Sequence, residues 1–216
     1  MSLKQWGVFS VLVCALSSAG VASAADLSVS GHIRPGGACS LALGNGGTFE
    51  LGTISRKDLK EDEDTYVGPP SLLRISLGVH CQAPTKIALR MLDNRAGTST
   101  SSLAWAFGLG ASGGKNVGWY SLWVEQLNGD GKPGLLRQVR KSPESQVWEV
   151  PTIGWGWATR VSWLYSWAER GQTLPQAFQD ISGELELHTY IAPAKKLDLS
   201  QEVAIDGSAT VELVYL

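Results

Sequence analysis
Four groups of residues in this chain have types and spacings associated with chemistry. Gly108-Leu109-Gly110-Ala111-Ser112-Gly113 carries the G-x-G-x-x-G spacing that elsewhere cradles a dinucleotide pyrophosphate. That chemistry needs a strand before the glycines and a helix after them, inside alternating βα units, and none surround this segment. Gly114-Lys115 echoes a phosphate loop, but Leu109 stands where the first glycine belongs and Asn116 replaces the Ser or Thr that would meet a metal ion. Asn128, Asp130 and Lys132 have the odd-position spacing of a calcium loop, yet an ammonium at the third ligand position repels the ion. The same stretch, Asn128-Gly129-Asp130-Gly131, predicts a hairpin turn. Glu184, Glu186 and His188 alternate with apolar residues and so share the outward face of one strand, and the chain has no G-x-S-x-G nucleophile elbow. No catalytic, metal or cofactor site is expected, and the chain is not expected to be an enzyme.

The cysteines point to a compartment. Lys4 precedes an apolar stretch over residues 8–16, followed by small residues ending in Ala22-Ser23-Ala24. This is the order of a secretory signal, with cleavage expected after Ala24, and the apolar run is short for a membrane-spanning helix. Cys14 would leave with the signal. Cys39 and Cys81 remain in an oxidising space, without CxxC spacing and with His32, His80 and His188 scattered, so a structural disulfide is expected. A bridge closing about forty residues contributes on the order of 4 kcal/mol in the chain-entropy model.

The elements that position these residues read as strands. The 216 residues are 44% apolar and 18% charged, with a net charge of −2, which excludes collagen-like, coiled-coil and wholly disordered chains. The same charge gives no electrostatic footprint for nucleic acid or an anionic membrane. Apolar residues alternate at Leu73, Ile75, Leu77, Val79 and Cys81, and again at Ile87, Leu89 and Met91, with a turn expected over residues 82–85 between them. Further alternating runs occur at Tyr120, Leu122 and Val124, at Ile181, Leu185 and Leu187, and at Ala209, Val211, Leu213 and Tyr215. Glycine- and proline-rich turns separate them, which predicts an all-β antiparallel sandwich. The charged stretch over residues 56–64 reads as a solvated loop. Residues 147–167 hold five tryptophans, at 148, 155, 157, 163 and 167. The pattern there fits a hairpin pair, an irregular loop or a short helix. The rings fit a core, a sugar-stacking surface or a protein contact, and Trp155 and Trp157 are the candidate ligand surface.

The two ends carry the functional signal. After the signal, Leu27, Val29, Gly31 and Ile33 alternate with Ser28, Ser30, His32 and Arg34, and the run ends at Pro35-Gly36-Gly37 just before Cys39. Such a strand either folds back on its own domain or adds to another chain's sheet, because backbone hydrogen bonds do not depend on which chain supplies them.

An alternating leader with a central glycine, Cys39 shortly after it, Cys81 about forty residues on and a last strand ending in Tyr215 together resemble a chaperone–usher pilus subunit. Glu50-Leu51-Gly52-Thr53-Ile54 resembles the strand that follows the first cysteine in that superfamily. The closing residues 205–216 and Asp93-Asn94-Arg95 resemble a fimbrial-subunit-like branch described only as a domain of unknown function. Val203 departs from the pattern, standing where members commonly carry a glycine; the nearest here is Gly207. The resemblance implies an incomplete immunoglobulin-like sandwich, one strand short, with an apolar groove beside its last strand. It implies that Val211, Leu213 and Tyr215 line that groove or meet a periplasmic chaperone, which also anchors the Leu216 carboxylate. At the outer-membrane usher, the leader of the next subunit, through Leu27, Val29, Gly31 and Ile33, would replace the chaperone's strand.

The expected organisation is therefore a signal over residues 1–24, a donor-strand extension over 25–36 and a pilin-like β-sandwich over 37–216. The expected function is that of a structural or minor subunit of a surface fimbrium contributing to adhesion or biofilm formation, in contact with other pilus subunits and with a host or surface receptor. The chain would pass through the periplasm to the cell surface. The competing expectation is a secreted sandwich that closes on its own leader and binds a glycan or protein through its Trp-rich region.

Overall fold
Period-two alternation becomes two antiparallel sheets. The computed structural model describes residues 38–68, 73–133, 136–151 and 161–216. The signal, the leader with Leu27, Val29, Gly31 and Ile33, and Trp155 and Trp157 lie outside the described residues. In chain order the strands are β1 (Cys39–Leu43), β2 (Thr65–Val67), β3 (Arg74–Thr85), β4 (Ile87–Asp93), β5 (Phe107–Gly108), β6 (Ala111–Ser112) and β7 (Lys115–Asn116). They continue as β8 (Gly118–Gly129), β9 (Lys132–Pro133), β10 (Leu136–Lys141), β11 (Leu164–Glu169), β12 (Phe178–Ile191) and β13 (Ala209–Tyr215).

The larger sheet runs β1-β3-β12-β8-β5, with β2 beside β12 and β9 beside β8; the smaller runs β10-β11-β4-β13. The alternating residues form one core between the sheets. Leu77, Val79, Leu122, Val124, Ile181 and Leu185 from the larger sheet meet Ile87, Leu89, Met91 and Trp167 from the smaller. Burying each such side chain contributes about 1.5–3 kcal/mol. The all-β antiparallel sandwich read from the alternation is the fold observed.

Cys39 and Cys81 are bonded, and they are directly opposed in the β1–β3 register with Cα atoms 3.9 Å apart. The bridge thus joins two neighbouring strands at the edge of the larger sheet, and Cys81 is fully buried.

One local expectation changes, and one left open is decided. The turn expected over residues 82–85 is strand: Gln82 donates its N–H to Ala38, and Thr85 pairs with Phe178. Neighbouring backbone satisfies these groups, so β3 continues to Thr85 and the chain crosses to the other sheet at Lys86. In the Trp-rich region, Tyr165 and Trp167 lie on β11, a strand and not a helix, and both are almost fully buried. Trp163 precedes β11 with the Arg140 guanidinium 5.3 Å from its ring, and the Lys141 ammonium lies 5.5 Å from Trp148.

The glycine segments resolve into turns. β6 and β7 close around Gly113 and Gly114, and β8 and β9 around Asp130 and Gly131, all four with positive φ as tight two-residue hairpins require. The Asn128-Gly129-Asp130-Gly131 turn is where the sequence places it.

Candidate functional site
Among the described residues, a cavity lies beside β13. It measures about 720 Å³ and lies between two stretches of irregular chain, one around Phe49, Leu51 and Ile54, the other around Val203, Ile205 and Gly207. Its floor is the core itself: Ile75, Leu122, Leu185 and Leu187, with Leu109, Val117 and Tyr120 toward one end. Burial of Tyr120 pushes its hydroxyl well above the ordinary tyrosine range, so the ring is a neutral part of this floor.

The walls have an unusual hydrogen-bond inventory. Residues 49–54 and 201–205 belong to no strand and make no backbone–backbone hydrogen bond among the described residues. β13 pairs on one side with β4, from Ala209↔Asp93 to Tyr215↔Ile87, and among the described residues it is the edge of its sheet. An apolar trough flanked by unpaired backbone can accept an extended chain: alternate side chains fill the trough while main-chain groups pair with the walls. Left open, the same edge invites aggregation.

The two ends of β13 are held differently. At its start, Asp93-Asn94-Arg95 grips the chain entering the strand. Arg95 Nε donates to the Asp206 carbonyl at 2.9 Å and Nη2 to its carboxylate at 2.5 Å. Asn94 donates its side-chain amide to Ser208 Oγ at 3.0 Å and accepts from Thr210 Oγ1 at 3.1 Å. Asp93 holds the turn itself, accepting from the Arg95 N–H and the Gly108 N–H. Gly207 then lies on the floor: a Cβ there would stand 2.9 Å from the Tyr120 ring and 3.0 Å from Leu109. At the far end, the Tyr215 hydroxyl accepts the Cys39 N–H at 2.8 Å, joining the last strand to the first across the sandwich.

Of the residues named from sequence, Val211 lines the groove. Leu213 packs against the core further along β13. Tyr215 and Leu216 are about half exposed, and the Leu216 N–H donates to Lys86. Glu50-Leu51-Gly52-Thr53-Ile54 forms one wall, without being a strand. Sequence reading gives Asp206 and Leu109 no role at this groove, because neither lies in an alternating strand: Asp206 precedes β13 and Leu109 follows β5.

Glu184, Glu186 and His188 face outward on β12 as the alternation requires, and they have partners. Arg74 pairs with Glu184 at 3.2 Å and Glu186 at 2.5 Å, and His188 Nε2 lies 2.6 Å from Glu186 Oε1. Trp123 stacks on His188, and Trp119 on Tyr190. Burial and the nearby Glu186 and Glu184 raise the Glu125 carboxyl above its ordinary range, against the lowering influence of Arg74. Among the described residues, no group of three or more His, Cys, Asp or Glu side chains could hold a metal ion.

The described residues define an antiparallel β-sandwich with a largely apolar cavity beside its last strand. Residues 27–104 match the family described as a protein of unknown function, DUF1120. The chain is similar to the uncharacterized protein YhcF of Escherichia coli (strain K12), 24% identical over 83% of this chain and 85% of that protein. It is also similar to the protein GltF of the same strain, 24% identical over 88% of each chain.

Proposed function
We propose that this chain is a structural or minor subunit of a chaperone–usher fimbrium, assembled by non-covalent strand exchange. The observation that carries this reading is the groove: an apolar trough whose walls, among the described residues, make no backbone–backbone hydrogen bond beside β13, the last strand of its sheet. In this reading the sandwich is an immunoglobulin-like fold lacking one strand. A periplasmic chaperone lends that strand first, and the usher then exchanges it for residues 27–33 of the next subunit. Leu27, Val29 and Ile33 supply alternate apolar side chains, and Gly31 lets the donor backbone approach closely where a side chain would not fit.

The test uses the full chain exported with and without a co-expressed strand-lending chaperone, with assembly followed by size-exclusion chromatography. Expected outcomes are chaperone-dependent recovery and multimers that Gly31→Leu blocks while chaperone binding persists. A chain that is stable and monomeric alone, and unfolds when residues 25–36 are deleted, overturns the proposal in favour of a sandwich closed by its own leader.

A further inference from the structure
We propose that residues 142–149 are an edge guard: this arm folds back on β10 and denies its outer side to other chains, which confines strand addition to β13. The inference goes beyond the strand-exchange reading, because it concerns the opposite edge of the smaller sheet. Among the described residues that sheet runs β10-β11-β4-β13, so β10 and β13 each have one side without a neighbouring strand. A sandwich that takes up a strand at one edge must keep its second edge from pairing, and a loop or charged side chains laid over the strand do so.

The arm begins with a turn that its residues favour. Pro143 follows Ser142, and the Ser145 N–H donates to the Ser142 carbonyl at 3.2 Å, reversing the chain directly after β10. Ser145 Oγ then accepts the Val147 N–H at 3.0 Å. The returning chain meets β10 at one pair: Arg140 and Glu149 exchange both backbone hydrogen bonds, each 2.8 Å long. Because the Arg140 N–H and carbonyl are used here, the bridge lies on the side of β10 that β11 does not occupy. Side chains reinforce it. Arg140 Nε donates to Glu149 Oε1 at 2.7 Å, and the Arg140 side chain is only 9% exposed. Its guanidinium lies 5.3 Å from the Trp163 ring, while the Lys141 ammonium lies 5.5 Å from Trp148. A desolvated cation held by a carboxylate and a ring is a stronger tie than an exposed ion pair. Trp148 and Trp163, two of the tryptophans of the Trp-rich region, thus belong to this closure.

The experiment uses the full chain carrying Gly31→Leu, co-expressed with the chaperone, so that the route through the groove is closed in every sample. Opening of the arm is read as hydrogen exchange of the Arg140 amide in dilute solution. Pairing is read as the mass of the complex by light scattering across a concentration series. Glu149→Pro removes the N–H that bonds the Arg140 carbonyl, and the milder Trp148→Ala removes the ring beside Lys141. Each speeds exchange at Arg140 about tenfold. Each also yields complexes holding two copies, joined β10 to β10, in which exchange over residues 136–140 slows as they associate. Glu144→Ala, at an exposed position on the same arm, changes neither. Faster exchange without association in both variants, or unchanged exchange in both, overturns this inference alone. A chain with Gly31 intact that forms no multimers overturns the strand-exchange reading and leaves this inference standing.

Discussion

The Tyr215 hydroxyl accepts a hydrogen bond from the backbone N–H of Cys39 at 2.8 Å, across 176 residues of sequence. Cys39 is bonded to Cys81 on β3, and Tyr215 ends the strand paired with β4. One phenol thus ties the first strand of the larger sheet to the last strand of the smaller, next to the disulfide. Tyr215→Phe keeps the ring and removes the bond, and is expected to cost about 1 kcal/mol in urea unfolding. Unchanged stability together with unchanged hydrogen exchange at the Cys39 amide would refute the tie.

The Cys39–Cys81 bridge closes a 42-residue separation between opposed strands. Replacing both cysteines by serine is expected to lower stability by about 4 kcal/mol, most of it through a less constrained unfolded chain. Equilibrium unfolding of the double variant against the oxidised parent measures this. Reducing agent should bring the parent to the variant's midpoint.

Gly207 touches the groove floor without space for a side chain. Gly207→Ala pushes a methyl group against the Tyr120 ring and Leu109, an overpacking expected to cost about 1–3 kcal/mol. Its effect on thermal unfolding should exceed that of Gly46→Ala, where a Cβ meets nothing within 4 Å, although a positive φ of 60° strains that site too. Equal effects would show that Gly207 is not seated as described.

Glu125 gives a pH dependence with a defined sign. Its carboxyl is raised, first by burial and then by Glu186 and Glu184, against Arg74. The folded state therefore holds this proton more tightly than the unfolded state does. The contribution favours folding below the ordinary glutamate pKa of 4.5 and is lost as pH rises through the raised folded value. Glu125→Gln removes the ionisation, so its melting temperature relative to the parent should rise from pH 4 to pH 7. A difference that stays constant across that range would contradict the assignment.

Much of the fold is legible in the residues because a half-buried strand imposes period two. Leu77, Val79, Ile181 and Leu185 must share a face, and that face must find a core. The hairpin at Asp130-Gly131 was legible for a similar reason: two successive positive φ values favour those residue types. The turn expected over residues 82–85 was misplaced, since Pro84 and the polar residues around it suit a turn as well as an edge. What decides is whether Ala38 and Phe178 lie within hydrogen-bonding reach, and no local pattern contains that information. The Trp-rich region stayed open because aromatic spacing fits several periods, and only pairing with β4 and β10 makes β11 a strand.

Sequence alone determined the main alternating strands, the Asp130-Gly131 hairpin and the Cys39–Cys81 pair, because each follows from local periodicity, turn geometry or the even count of cysteines left once the expected signal is set aside. Tertiary structure decided that Asp206 would meet Arg95, that the Tyr215 hydroxyl would meet Cys39, and that residues 49–54 and 201–205 would flank an open floor of core side chains. These relationships join residues about a hundred or more positions apart. They depend on which strands become edges once both sheets have packed, and that choice belongs to the whole chain.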